Sequence, residues 1–449
     1  MAHFKFSELV KPLEAHHSGA DVTFNTVTID SRNIKPGDLF IAIKGPNFDG
    51  HDFINEAQKQ GACGVMVERE VHTDLPVLKV ADTRLALGYL GALRRAQLAD
   101  LPLIAVTGSC GKTTTKTMMA AILKQKGNTL ATEGTLNNDY GVPLTLLKLQ
   151  EQHDYAVIEM GANHFEEIAY LTKMAKPHVA VITNAGPVHL EGFGNVYGVA
   201  QAKGEIFRGL IPSGVAVLNA DDAHFEYWQA LVFERKKVTF GENEKADYRA
   251  VDVCMNAQHK PEFRLCSPLG EIKITLPLLG RHNVLNALAA AAATAELGAS
   301  LKDIQQGLSQ MEPVNKRLNE YQGRHGEMII DDSYNANPAG MAAALSVLMQ
   351  YPGKRIMVLG SMGELGDLSE DYHYALGQQI RDMGVDILLA VGDLALHTVN
   401  AFGAGATHFN DQNSLLAELK PLLSKDAVIL VKGSRFMKME NIVQELIKG

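Results

Sequence analysis

Basic residues are in short supply in this chain. Lysine and arginine number 42 against 51 aspartates and glutamates, a formal net charge of −9. A protein whose main partner is nucleic acid needs a basic surface to neutralise phosphates, so the balance argues against that class. Cysteine is scarcer still. Cys63, Cys110, Cys254 and Cys266 are scattered through 449 residues without the spacing of a metal or redox motif. They fit reduced thiols, and a cytoplasmic location is expected. Long apolar runs are lacking: the Ala-rich stretch Leu288 to Ala295 is too short and too weakly apolar to span a bilayer, so no membrane insertion is expected. Met1 to Phe6 have no signal-peptide apolar core. Tandem repeats and low-complexity tracts are missing too.

What is present is the composition of a globular protein, 46% apolar and 21% charged. At about 150 residues per domain, the length leads to three domains. Residues 1–83 read as a small α/β unit. Its short strands are predicted at Val22 to Ile29, Leu39 to Ile43, Gly64 to Val67 and Val77 to Val80, with a helix at Asp52 to Gln60. Residues 84–313 begin with a helix over Thr83 to Ala99 and then alternate strands with helices. The strands are Leu103 to Val106, Tyr155 to Ile158, Val179 to Ile182 and Val215 to Leu218. The helices are Lys112 to Lys124, Phe165 to Met174, Val196 to Arg208 and Arg281 to Leu297. Residues 314–449 repeat the style, with strands at Met328 to Ile330, Ile356 to Leu359, Ile387 to Val391 and Val428 to Val431. Helical segments follow Pro338, Ser369, Gln412 and Phe436. The expected fold class is therefore α/β in three domains: a small N-terminal unit, a central P-loop-type, mostly parallel sheet, and a doubly wound, Rossmann-like C-terminal domain.

The central strand Leu103 to Val106 runs into Thr107-Gly108-Ser109-Cys110-Gly111-Lys112-Thr113-Thr114 and then into a helix. Strand, Gly-rich turn and a helix opening on Lys-Thr form a phosphate-binding construction, in which backbone N–H groups and the helix N-terminus meet phosphate oxygens. Lys112 would reach the outer phosphates and the Thr113 or Thr114 hydroxyl would hold Mg²⁺. Only Ser109 and Cys110 separate the two glycines, so this is a shortened variant of the common loop. Cys110 fills a variable loop position.

In parallel sheets ligands sit at the carboxyl ends of the strands. Glu159 follows one such end and could hold Mg²⁺, or serve as a helix N-terminal charge. His189 lies in the glycine-rich loop Asn184 to Gly194, after another strand. Lys203, taken alone, would be a solvated helix residue. His282 and Asn283 open an Ala-rich helix, where they could read a purine or simply cap and pack. Arg317 could neutralise developing phosphate charge. Asp332 could accept hydrogen bonds from a ribose or cap the next helix.

Taken together, Thr107-Gly108-x-x-Gly111-Lys112-Thr113-Thr114, Glu159, His189, Lys203, His282-Asn283, Arg317, Asp332 and Lys432-Gly433-Ser434-Arg435 resemble the Mur ligase family of bacterial cell-wall synthesis. The matches span nearly the whole chain. Leu136 to Pro143, Asp332 to Pro338 and Gly360 to Gly366 resemble the branch that joins D-alanyl-D-alanine to UDP-N-acetylmuramoyl-tripeptide. Ser361, where an acidic residue is expected, and Asp139, where Glu is commoner, are small departures.

The resemblance implies that ATP phosphorylates the tripeptide carboxylate and that the dipeptide amine attacks the acyl phosphate. It implies two Mg²⁺ ions on Thr113, Glu159 and His189, with Lys203 carbamylated by CO₂ into a further oxygen ligand oriented by Glu205. Lys112 and Arg317 would be catalytic cations. Thr107, Gly108, Ser109, Cys110, Gly111, Thr114, His282, Asn283 and Asp332 would contact the nucleotide. Ser31, Arg32, Asn47 and His51 would hold the sugar nucleotide, and Asn137, Asn138, Asn335, Lys432, Ser434 and Arg435 would complete the substrate sites. A monomer is expected. The residues leave open whether the tripeptide ends in diaminopimelate or lysine.

Two other readings share some of these residues. A folylpolyglutamate synthetase would run the same chemistry on another acid, but here there is a separate N-terminal unit and an Asn137 to Pro143 loop. A non-enzymatic nucleotide switch would carry a guanine-reading Asn-Lys-x-Asp, and Asn315-Lys316-Arg317-Leu318 lacks the Asp.

Overall fold

The computed structural model describes residues 4–24 and 26–448. Its strands form three main sheets, one in each expected region, and one small ribbon.

The N-terminal sheet has five strands in the order His16–Ser18, Val77–Lys79, Gly64–Val67, Asp38–Ile41, Thr26–Thr28, parallel except for the first. The strand expected over 22–29 is two strands in two different sheets. Thr23–Phe24 pairs antiparallel with Phe4–Lys5, and Thr26–Thr28 joins the main sheet; Asn25 lies outside the described residues. The split lets Phe24 pack on Phe4 and Phe6 in the core.

The helix Thr83–Gln97 is capped by the Asp82 carboxylate, which accepts from the Arg84 and Leu85 N–H groups. It serves two units. Ala86, Leu87 and Leu90 enter the N-terminal core. Arg95, only 2% exposed, donates to the carbonyl of Ala175 in the central domain.

The central sheet has nine strands, in the order Gly270–Thr275, Pro261–Ser267, Tyr248–Met255, Lys236–Gly241, Val215–Asn219, Val179–Ile182, Leu103–Thr107, Tyr155–Glu159, Thr129–Ala131. The four expected strands are adjacent and parallel at its centre. They are covered on both faces: Ile104 and Val106 enter one core, Leu103 and Ala105 the other. That burial is why they read as continuous apolar runs. The unforeseen strands lie outside this apolar group, where part of each faces water; Tyr248–Met255 joins parallel to Lys236–Gly241, and Pro261–Ser267 and Gly270–Thr275 follow antiparallel. The helix expected over 196–208 is α-helical only to Gly204 and then tightens into a 3₁₀ turn, Glu205–Gly209.

The C-terminal sheet runs Asn319–Gln322, Met328–Asp332, Ala427–Lys432, Lys354–Gly360, Ile387–Val391, Ala406–Phe409, parallel after the first antiparallel pair. Helices cover both faces. Among the described residues, no helix is long and apolar enough to cross a membrane.

Candidate active-site cleft

The phosphate loop leaves the buried strand Leu103–Thr107 and enters the helix Lys112–Leu123. Both of its glycines are obligatory. Gly108 has φ 148°, and a Cβ there would lie 1.9 Å from Thr183 Oγ1. Gly111 has φ 80°, and a Cβ would lie 2.2 Å from Asn286 Oδ1. The Cys110 N–H donates to Asn184 Oδ1 at 2.9 Å, and the Ser109 hydroxyl accepts from the Gly186 N–H at 2.9 Å. Lys112 Nζ folds back onto the carbonyls of Gly108 and Ser109, at 2.6 and 3.3 Å. Burial pushes its pKa down, with Glu159 pulling the other way. Thr107 corrects the expectation of a nucleotide contact: its hydroxyl is fully buried and donates to the Met160 carbonyl at 2.8 Å.

Glu159 ends the neighbouring strand. Its Oε1 accepts from Thr113 Oγ1 at 3.2 Å and from Asn137 Nδ2 at 2.8 Å, while Oε2 is buried with no partner among the described residues. A buried bare carboxylate oxygen is costly, and a divalent cation is a natural partner for it. No group of three or more His, Cys, Asp or Glu is suited to hold a metal among the described residues. A cation here would therefore complete its shell from phosphate oxygens and water, as Mg²⁺ commonly does. Asn137, expected on the substrate, is thus committed to Glu159. Asn138 lines the cleft but caps its own turn, accepting from the Tyr140 and Gly141 N–H groups.

His189 sits in the left-handed region at φ 51°, with Nδ1 2.6 Å from Glu364 Oε2 of the C-terminal domain, close but not aligned as a hydrogen bond. Glu364 is also left-handed, at φ 65°, and its carbonyl accepts from the Leu190 N–H. Lys203 is not the solvated residue its local sequence suggests. It is 1% exposed, does not line the cleft, and has Nζ 5.3 Å from the centre of the Phe193 ring. Burial, then the charge of Lys112, brings its pKa down to about 7. Glu205 does not orient it: that carboxylate accepts from the Glu166 and Ala169 N–H groups and caps the helix Glu167–Ala175.

Across the cleft, Arg317 stacks 4.2 Å from the Tyr334 ring centre. Asp332 is not free for a ribose on both oxygens, because Lys432 Nζ lies 2.6 Å from its Oδ2. Lys432, which lines the cleft, also donates to the Asn335 carbonyl at 2.8 Å, so this buried lysine fastens the wall. Asn335 lines the cleft, with its side chain accepting from the Ala336 N–H. His282 also lines the cleft, and burial brings its pKa down to about 4, leaving a neutral ring at pH 7. Asn283, which also lines the cleft, donates to the Leu279 carbonyl and accepts from Asn286 Nδ2.

Several expected residues lie elsewhere. Ser434 is buried, with its hydroxyl accepting from the Gly363 N–H at 2.8 Å, and Arg435 pairs with Glu440; neither lines the cleft. Ser31, Arg32, Asn47 and His51 are outside the cleft as well. Arg32 is 84% exposed and paired with Asp30. His51 is buried with both ring nitrogens in use, towards Asp49 and the Glu68 N–H, so it fastens its loop. Ser361, the departure noted above, accepts from the Ala395 N–H in a buried site that has no need of a charge. Residues not anticipated include Asn286, Glu364, Asn337 and Arg84, all lining the cleft. Asn286 was open to inference, because it falls three residues after Asn283 on the same helical face.

The cleft encloses about 760 Å³ between the phosphate loop and the C-terminal wall. A phosphate loop at the strand ends of one parallel sheet, facing a second α/β domain across such a space, defines a nucleotide-dependent enzyme of the P-loop type. Residues 23–104 match the family model described as Mur ligase family, catalytic domain; 106–294 match the Mur ligase middle domain, and 316–435 the Mur ligase, glutamate ligase domain. The chain belongs to the Mur ligase family and is an ATP-dependent ligase. It is 45% identical to UDP-N-acetylmuramoyl-tripeptide–D-alanyl-D-alanine ligase of Escherichia coli strain K12, covering 99% of each chain. It is similar to the solved structure of UDP-N-acetylmuramoylalanyl-D-glutamyl-2,6-diaminopimelate–D-alanyl-D-alanyl ligase from Acinetobacter baumannii, with a TM-score of 0.90, 38% identity, and coverage of 100% of this chain and 99% of that one. It is also similar to MurF ligase from Thermotoga maritima in complex with ADP, with a TM-score of 0.84, 28% identity, and coverage of 94% and 97%.

Proposed function

We propose that this protein uses ATP to join D-alanyl-D-alanine to UDP-N-acetylmuramoyl-tripeptide, acting as a monomer in the cytoplasm. The names of its full-length relatives support the substrates. The observation that carries the chemistry is the bare, buried Glu159 Oε2 beside Thr113, at the mouth of a phosphate loop.

A tripeptide carboxylate oxygen attacks the γ-phosphorus of ATP, the bond to the β-phosphate oxygen breaks, and ADP leaves an acyl phosphate behind. The dipeptide amine then attacks the acyl carbon and releases phosphate; the surplus ammonium proton goes to solvent. Both steps concentrate negative charge, so the residues act mainly by position and by countercharge. Lys112 exchanges its two loop carbonyls for β- and γ-phosphate oxygens. The N–H groups at the start of the helix Lys112–Leu123 meet the same phosphates. Arg317, held against Tyr334, offers its charge from the opposite wall. His282 and Asn283 border the adenine side, and the free oxygen of Asp332 accepts from the ribose.

Thr113 and Glu159 fit one Mg²⁺, which when bound supplies Lewis-acid neutralisation of phosphate charge. His189 would hold a second through Nε2, since Nδ1 faces Glu364. Lys203 suits carbamylation: a buried amine with a pKa near 7 is substantially neutral, can attack CO₂ with loss of a proton, and becomes an anionic oxygen donor. Ser31 and Arg32, remote from the cleft, would hold the uridine end of the long sugar nucleotide.

Phosphate release is expected to be sustained only when UDP-N-acetylmuramoyl-tripeptide and D-alanyl-D-alanine are both present with ATP. Equal turnover with other dipeptides, or none with this pair, would overturn the assignment.

A further inference from the structure

Among the residues lining the cleft, Arg84 and Asp139 face each other. They come from different elements: Arg84 from the first turn of the helix Thr83–Gln97, Asp139 from the loop that precedes the helix Gly141–Leu147. Arg84 Nε donates to Asp139 Oδ2, and the guanidinium carbon sits 5.0 Å from the centre of the Tyr140 ring. Asp82 fixes the backbone from which Arg84 projects, accepting from its N–H at 2.8 Å. Both side chains line the cleft, and neither makes another side-chain hydrogen bond among the described residues.

The pair is therefore held in place yet unsaturated. A guanidinium has five N–H donors in a planar fork, and only one is engaged. Asp139 keeps a carboxylate oxygen that can accept. A ligand group complementary to both must carry a carboxylate and an ammonium on neighbouring atoms. A lysine side chain ends in an ammonium alone, which Arg84 would repel. A 2,6-diaminopimelate side chain ends in both charges on one carbon.

The placement agrees with the chemistry. Asn137 touches Glu159, which marks the reacting end, and Asp139 is two residues further along, a span of at most about 7 Å. A tripeptide whose terminal carboxylate is phosphorylated beside Glu159 would extend its last side chain, three methylenes and a terminal zwitterion, over about that length. We infer that Arg84 and Asp139, stacked at Tyr140, form the subsite that selects a tripeptide whose third residue ends in a zwitterion. The inference rests on the ligase reading above and adds to it the residues that determine this specificity.

The test compares kcat/KM for UDP-N-acetylmuramoyl-tripeptides ending in 2,6-diaminopimelate and in lysine, using phosphate release with D-alanyl-D-alanine. The wild type should favour the diaminopimelate substrate. Arg84→Gln should lower that ratio about ten- to hundredfold, the size of a lost charge-assisted hydrogen bond. Arg84→Lys should restore it only in part, because an ammonium lacks the planar fork. Affinity for ADP, measured on the same preparations, should match the wild type and shows that the fold is intact. A wild type without preference, an unchanged ratio in Arg84→Gln, or an equal loss on both tripeptides would each overturn the inference; the last would mean that Arg84 grips a part the two share. These results leave the ligase reading standing. A wild type inactive on both tripeptides would remove that reading and this inference with it.

Discussion

Replacing Gly111 by alanine should damage the protein through one identifiable collision. Two costs follow from the structure. The backbone at φ 80° is left-handed, which costs a residue with a Cβ about 1–2 kcal/mol. The new Cβ also lies 2.2 Å from Asn286 Oδ1, so Asn286 must move. That side chain accepts from Thr115 Oγ1 at 3.2 Å and donates to Asn283 Oδ1 at 2.9 Å, all in buried surroundings. Each partner left unsatisfied costs about 1–3 kcal/mol. Gly111→Ala should therefore destabilise by about 3–8 kcal/mol, and Asn286→Ala by about 2–6 kcal/mol. In the double variant the obstacle is gone and only the backbone cost is added, so it should fall about 2–6 kcal/mol short of the sum of the singles. The assay is urea unfolding of the four proteins, following the transition that ADP shifts upward, because that transition belongs to the nucleotide-binding domain. Additivity within about 0.5 kcal/mol would refute the argument, since independent sites behave that way.

The other predictions concern charge. Lys203→Ala should be nearly inactive, and short-chain carboxylates should restore part of the activity by occupying the vacated anion position. Rescue by small amines instead would show that the cation mattered. Glu440 is a stability switch at low pH: burial pushes its carboxyl up, but bonds from Arg435, its own N–H and Lys316 outweigh that and bring it down to about 2. The pKa is lower in the folded state than the ordinary 4.5, so the contribution is present above pH 4.5 and is lost as pH falls towards 2. Thermal unfolding across that window should show a steeper loss in the wild type than in Glu440→Gln, and parallel curves would refute it.

Local sequence determined the phosphate loop and the central strands. A Gly-rich turn between an apolar run and a helix has few other uses, because φ at Gly108 and Gly111 and the clearance beside them admit no side chain. Strands such as Val179–Ile182, buried on both faces, show themselves as unbroken apolar stretches. Thr129–Ala131, at the sheet edge, and Lys236–Gly241, beyond the apolar centre, do not, because part of their surface faces water and their residues are correspondingly mixed. Tertiary structure alone decided what each polar candidate does. Lys432 meets Asp332 a hundred positions away, and the pair takes up one of the two carboxylate oxygens before any ligand arrives. His51 is closed in by Asp49 and the Glu68 N–H, while Lys203, which taken alone reads as a solvated helix residue, ends with its amine buried beside Phe193. Periodicity and turn chemistry act over a few residues and survive in the sequence as pattern. Burial and pairing are set by which distant segments the sheets bring together, and those neighbours raise or remove the charge on which a site depends.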